Sequence, residues 1–149
     1  MVSRAPALLL LGAAMCGILT ATFTPPTVGA QPESIASDDR GFIGSDVRCE
    51  VPQSAVAFGR TAQSLVAICV NPDGHYEYRG ARLGDDAVLT VVAEPTVPGE
   101  FFAQKDGVTY TVTAQELVIR SDEWMRTEPV LQFGTPPLLA VEIPASKPG

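Results

Sequence analysis

The sequence predicts an all-β fold, an antiparallel barrel or sandwich of seven to eight short strands held by one disulfide. Three observations predict it. Short apolar or alternating runs recur at a spacing of roughly 8–12 residues. Turn-forming Gly, Pro and Asp residues separate consecutive runs. No stretch after residue 31 spaces its apolar residues as an amphipathic helix of three turns would.

Residues 1–30 read as an export signal. Arg4 supplies the positive charge, and an uncharged apolar run follows from Ala5 to Leu19. A polar stretch with Pro25 and Pro26 leads to Val28, Gly29 and Ala30, whose small residues predict cleavage after Ala30. The competing reading is an uncleaved anchor, but the apolar run is about 15 residues against the roughly 20 that span a bilayer. Lipid attachment at Cys16 is disfavoured because Met15 is not small and Cys16 lies inside the apolar run. Residues 31–45 are polar, with Asp38, Asp39 and Arg40 beside two glycines, and are expected to be a flexible leader.

The all-β domain is expected over 46–133. Its first clear hairpin joins Ser64–Val70 to the run from His75 through Asn71, Pro72, Asp73 and Gly74, where Pro fixes φ and Gly closes the turn. Gly84, Asp85 and Asp86 form the next turn, leading into Ala87 to Ala93. That run is apolar on both faces and is expected to be a central strand. Asp106-Gly107 between Phe101–Lys105 and Val108–Thr113 is a strong hairpin signal, since a two-residue turn needs positive φ at both positions. Val108, Tyr110 and Val112 alternate with three threonines, the period of a half-buried strand. Leu117–Arg120 and Met125–Phe133 complete a last hairpin around Ser121, Asp122 and Glu123. Residues 134–149 are expected to be a Pro-rich irregular tail, with 138–141 able to dock as an extended strip.

Loss of the signal removes Cys16 and leaves Cys49 and Cys69, an even pair in an exported chain, which predicts one disulfide. In the chain-entropy model such a loop stabilises the fold by about 3.3 kcal/mol. The chain has 149 residues and a formal net charge of −7, with 46% hydrophobic and 18% charged residues. That length fits one domain. The acidity argues against a nucleic-acid partner, and no membrane contact is expected after cleavage.

Chemistry-bearing motifs are sparse, and no catalytic residue, metal site or cofactor is assigned. His75, the single histidine, follows a turn and is expected to be exposed. No Gly-framed serine elbow, CxxC pair, EF-hand or phosphate-cradling loop occurs. The acidic pairs Asp85-Asp86 and Asp122-Glu123 sit in expected turns, where aspartate stays solvated.

Tyr76 to Arg82 is the one segment that suggests binding. On a strand Tyr76, Tyr78 and Arg82 share one face, and Glu77 and Arg79 the other. Tyr76, Tyr78, Arg79 and Arg82 are therefore candidate binding residues, since Tyr and Arg dominate interface hot spots. The alternative is that the tyrosines fill the β core while Glu77 and Arg79 pair with each other. Trp124, at a turn exit, either caps the end of the fold or is an exposed contact residue.

The run from Cys49 through Phe58, Gly59, Arg60 and Thr61 to Cys69, then Asp73 to Gly80, Asp106 to Val112 and Glu116 to Ile119, resembles small exported mycobacterial proteins of uncharacterised function, over about 46–133. The resemblance implies export and transfers no site residues. The expected role is non-enzymatic binding of an unknown protein or cell-envelope ligand, by a protein that is secreted or held in the envelope. The alternatives are a hydrolase built on turn carboxylates and a membrane-anchored accessory subunit of an envelope complex.

Overall fold

The structure is a computed structural model that describes residues 23–24, 29, 33–85 and 87–136. Contacts divide the chain into two units, Met1–Gln31 and Pro32–Gly149, and the fold described below belongs to the second. The export signal expected over 1–30, apart from Phe23, Thr24 and Gly29, lies outside the described residues, as does the tail from 137 with its 138–141 strip.

A two-residue hairpin, β1 (Ser37–Asp38) and β2 (Gly41–Phe42), precedes the main sheet. Eight strands then follow: β3 (Ser54–Thr61), β4 (Ser64–Val70), β5 (Tyr76–Arg82), β6 (Val88–Pro95), β7 (Phe101–Lys105), β8 (Val108–Val112), β9 (Glu116–Arg120) and β10 (Met125–Gly134). Each pairs antiparallel with its neighbours in sequence, and β10 returns to pair with β3, so the sheet closes into a barrel. Of the two expected architectures, the barrel is the one formed. Closure uses Val130↔Thr61, Gln132↔Arg60, Phe133↔Gly59 and Gly134↔Phe58, with a register shift between Val130 and Gln132. Pro129, which has no N–H to give a ladder, ends the pairing with β9 at Glu116, and β10 passes to β3 from Val130 onward.

The turns follow from local chemistry. Asp106 and Gly107 have φ of 51° and 77°, the left-handed pair that a two-residue hairpin needs, and Lys105 faces Val108 directly across it. In the Asn71–Gly74 turn the Asn71 side chain accepts the His75 amide at 2.9 Å. At the last hairpin Ser121 Oγ accepts the amides of Glu123 and Trp124.

Inward positions recur every second residue and build a core inside the barrel. Ala57, Val66, Ile68, Tyr78, Ala93, Ala103, Val112, Leu117 and Ile119 form that core. Small residues face large ones across it. A Cβ at Gly80 would collide with the Tyr78 ring, so the absence of a side chain there gives Tyr78 its place.

A second core lies outside the barrel. Phe42, Cys49, Ala55, Phe58, Ala67 and Cys69 pack together over the outer face of β3 and β4. Phe42 meets Phe58 edge-on at 4.9 Å, and the Cys49–Cys69 disulfide joins this layer to β4 across a Cα–Cα distance of 5.6 Å. This corrects the expectation of a flexible leader at 31–45, because residues from Ile35 onward pack on the barrel and Phe42 is fully buried. The lone Phe42 carries no periodic signal, and its partner Phe58 is distant in sequence. The central-strand expectation for Ala87 to Ala93 is also corrected. Val92 on the outer face of β6 is 74% exposed, and β4 is the strand covered on both faces, because the leader lies over it. A closed barrel has no central strand of its own.

Phe42→Ala is expected to cost about 3 kcal/mol in urea-induced unfolding, as for a buried phenylalanine elsewhere. A cost below about 1 kcal/mol would mean that the leader does not pack on the barrel.

Candidate functional site

The barrel is recessed at one mouth. A cavity of about 290 Å³ lies there, walled by Tyr78, Leu89, Val108, Tyr110 and Ile119, with Arg82, Asp85, Trp124 and Arg126 among the residues toward the rim. The alternation of β5, β6, β8, β9 and β10 turns these side chains inward. The turns after β5 and β9 place Asp85 and Trp124 at its edge.

The polar part of the site is built around Glu128. This carboxylate is 3% exposed, at an inward position of β10 facing Leu117. One oxygen, Oε2, accepts the Thr61 hydroxyl at 2.6 Å. Thr61 Oγ1 in turn accepts the Ser64 amide at 2.8 Å and the Gln63 amide at 3.0 Å, so the carboxylate is tied to the tight β3–β4 turn. The other oxygen, Oε1, lies 2.8 Å from Arg126 Nε. That contact is a charge pair without hydrogen-bond alignment, and both atoms are buried. Burial of a carboxylate demands such compensation, and the paired guanidinium supplies it.

Tyr78 and Tyr110 lie beside this pair, with ring centroids 5.0 Å apart and planes tilted by 31°. Burial pushes the Tyr78 phenol well above its ordinary value of 10.0, and nearby Tyr110 and Glu128 push it further while Arg126 opposes them. The Tyr110 phenol is also raised, by burial first and Asp106 second. Both rings therefore remain neutral hydroxyl donors at physiological pH.

The four candidate binding residues separate. Tyr78 and Arg82 line the mouth cavity. Tyr76 faces inward but lies further from the mouth, packed on Phe101 at 5.6 Å. Arg79 points outward, where it pairs with Glu50 at 3.0 Å and Glu77 at 3.4 Å. The tyrosines thus serve the interior, with Tyr78 3% exposed, and the four do not form one surface patch. His75 is exposed at the head of β5. Of the four acidic turn residues, Asp85 lines the mouth, where its Oδ1 accepts the Ala87 amide at 3.0 Å. Asp122 and Glu123 are exposed, and Asp86 lies outside the described residues. Among the described residues no group of three or more His, Cys, Asp or Glu side chains is placed to hold a metal ion.

Sequence reasoning missed Thr61, Arg126 and Glu128 as a set. A signal for two of them was present: Arg126 and Glu128 stand two apart in the expected strand Met125–Phe133 and so share one of its faces.

Alkaline stability tests the burial of Tyr78. Its phenol has a raised value in the folded state, so its contribution is complete below pH 10.0 and is lost as the unfolded chain ionises above that point. Tyr78→Phe is expected to flatten the fall in unfolding free energy above pH 10.0, measured by urea titration at a series of pH values. An unchanged pH slope in the variant would show that Tyr78 ionises alike in both states.

No protein-family model, curated protein or solved structure matches this chain.

Proposed function

We propose that this protein is an exported, non-catalytic barrel that takes one small molecule into its mouth cavity, acting in the cell envelope or outside the cell. The observation that carries this reading is the cavity at the barrel mouth. An eight-stranded barrel is just wide enough either to be packed by its own side chains or to hold one small ligand. Here the core packs the interior and leaves about 290 Å³ at the mouth, walled by tyrosine and aliphatic side chains. A small number of fixed polar groups among apolar walls is the usual character of a ligand site. A recess of this size suits a compact ring system.

Export rests on the sequence of residues 1–30 and is supported by the buried Cys49–Cys69 disulfide, which suits an oxidising compartment. Among the described residues no helix is long and apolar enough to cross a membrane. The proposed resemblance to exported mycobacterial proteins points the same way. A binding role is favoured over hydrolysis because the charged groups of the cavity are committed: Glu128 to Thr61 and Arg126, and Asp85 to the Ala87 amide.

Trp124, the single tryptophan, stands at the rim and reports on occupancy. In a screen of small ring compounds, binders are expected to shift Trp124 emission with one-to-one stoichiometry, and Tyr110→Ala should weaken them about tenfold. A screen spanning neutral, anionic and cationic rings in which no compound moves the emission would contradict the reading.

A further inference from the structure

We infer that the mouth cavity selects a planar ring carrying a single negative charge, with Arg126 as the anchor for that charge; the inference rests on the proposed ligand-binding role of the cavity. The whole chain is acidic, at −7. Among the described residues the cavity lining carries Arg82 and Arg126 against Asp85, and a backbone amide already occupies one oxygen of that carboxylate. Glu128, 2.8 Å from Arg126, offsets one of the two guanidinium charges. The described charges of the site therefore balance within an acidic chain, which makes it a less repulsive place for an anion than the protein around it.

Arg126 sits beside a held counter-charge. A guanidinium presents its donors in a rigid planar fork, which suits bidentate capture of a carboxylate once the fork is held in place. Here Glu128 faces Nε at 2.8 Å, and Glu128 is itself held by Thr61 and the β3–β4 turn. Only Nε is engaged in this way. Among the described residues the terminal nitrogens Nη1 and Nη2 make no hydrogen bond, and Arg126 lines the cavity. The guanidinium is thus charge-paired on its Nε side while its terminal nitrogens are unengaged among the described residues, and it is partly withdrawn from water, where a bound anion compensates it best.

Tyr78 and Tyr110 remain neutral, so neither repels an anion, and each hydroxyl can donate to one. Their rings, with Leu89, Val108 and Trp124, give the cavity apolar and aromatic wall against which a planar ring can pack. A cationic ligand meets the same aromatic rings but faces two guanidinium groups, and so is disfavoured.

The test uses three probes with one ring: 2-naphthylacetate, its neutral amide, and the cationic 2-naphthylethylamine. Calorimetric titration of the full chain is expected to show the acid binding about tenfold or more tighter than the amide, and the amine weakest. The R126Q/E128Q variant removes the pair together and leaves no orphaned buried charge. It should bring the acid to within about threefold of the amide and leave the amide unchanged. R82Q serves as the control for the second arginine and should preserve most of the preference. If the three probes bind alike, or the amine binds best, the cavity is a binding site and the charge selection is wrong. A preference that survives in R126Q/E128Q overturns Arg126 as the anchor. Binding of none of the three, with no other ring compound shifting Trp124, defeats the underlying cavity reading instead. Should the paired variant not fold, the ranking of the three probes on the natural chain still decides the charge selection.

Discussion

Closure of the sheet between β10 and β3 is the constraint on which everything else depends. An open eight-stranded meander would expose two edges and let its faces drift apart. Once β10 pairs with β3, the number of strands sets the bore, and the bore decides how much side-chain volume the interior can take. Ala57, Ala93 and Ala103 allow the larger Ile68, Leu117 and Tyr78 to interdigitate. Toward the mouth the inward row changes character, to Ser64, Gly80 and Arg82 beside Leu89, Val108 and Tyr110. Fewer bulky groups converge there, and the cavity is the volume they leave.

The same closing strand delivers the charge. β10 must leave β9 and join β3, and it does so at Pro129, a residue that cannot donate to either ladder. Just before that point Glu128 faces inward, where Thr61 at the end of β3 meets it. The pairing that seals the barrel therefore also brings Thr61 and Glu128 together, and through Glu128 it places a counter-charge beside Arg126. Outside the barrel the disulfide and the Phe42–Phe58 contact stabilise the seam from behind, on the β3 and β4 side. Fold closure and site geometry rest on the same contacts.

Much of this was legible in the residues themselves. Asp106-Gly107 specified its turn through backbone conformation alone, which is local information. Strict alternation in Val108 to Val112 placed Tyr110 inward, and the pair Cys49 and Cys69 specified the disulfide. What escaped depended on partners distant in the chain. Phe42 sits in a polar stretch, and its burial follows only once Phe58 is known to face outward and need cover. The apolar run at β6 looked doubly buried, yet whether an outward valine is covered is decided by where the leader lies, and it lies on β4. Tyr76, Tyr78 and Arg82 were seen to share a face, but not whether that face looks in or out. Arg126 and Glu128 were missed because a charge pair inside a barrel contradicts the apolar pattern by which inward faces are recognised.

Amide hydrogen exchange measured strand by strand tests closure most directly. In a sealed barrel the ladder amides of β3 and β10 exchange as slowly as those of β4 and β5, because all open only in the same global unfolding event. Exchange of the β10 amides from Val130 to Gly134 at the rate of a surface loop, with β4 and β5 still protected, would mean an open sheet, and an open sheet has neither the mouth cavity nor the Thr61–Glu128 contact that places a counter-charge beside Arg126.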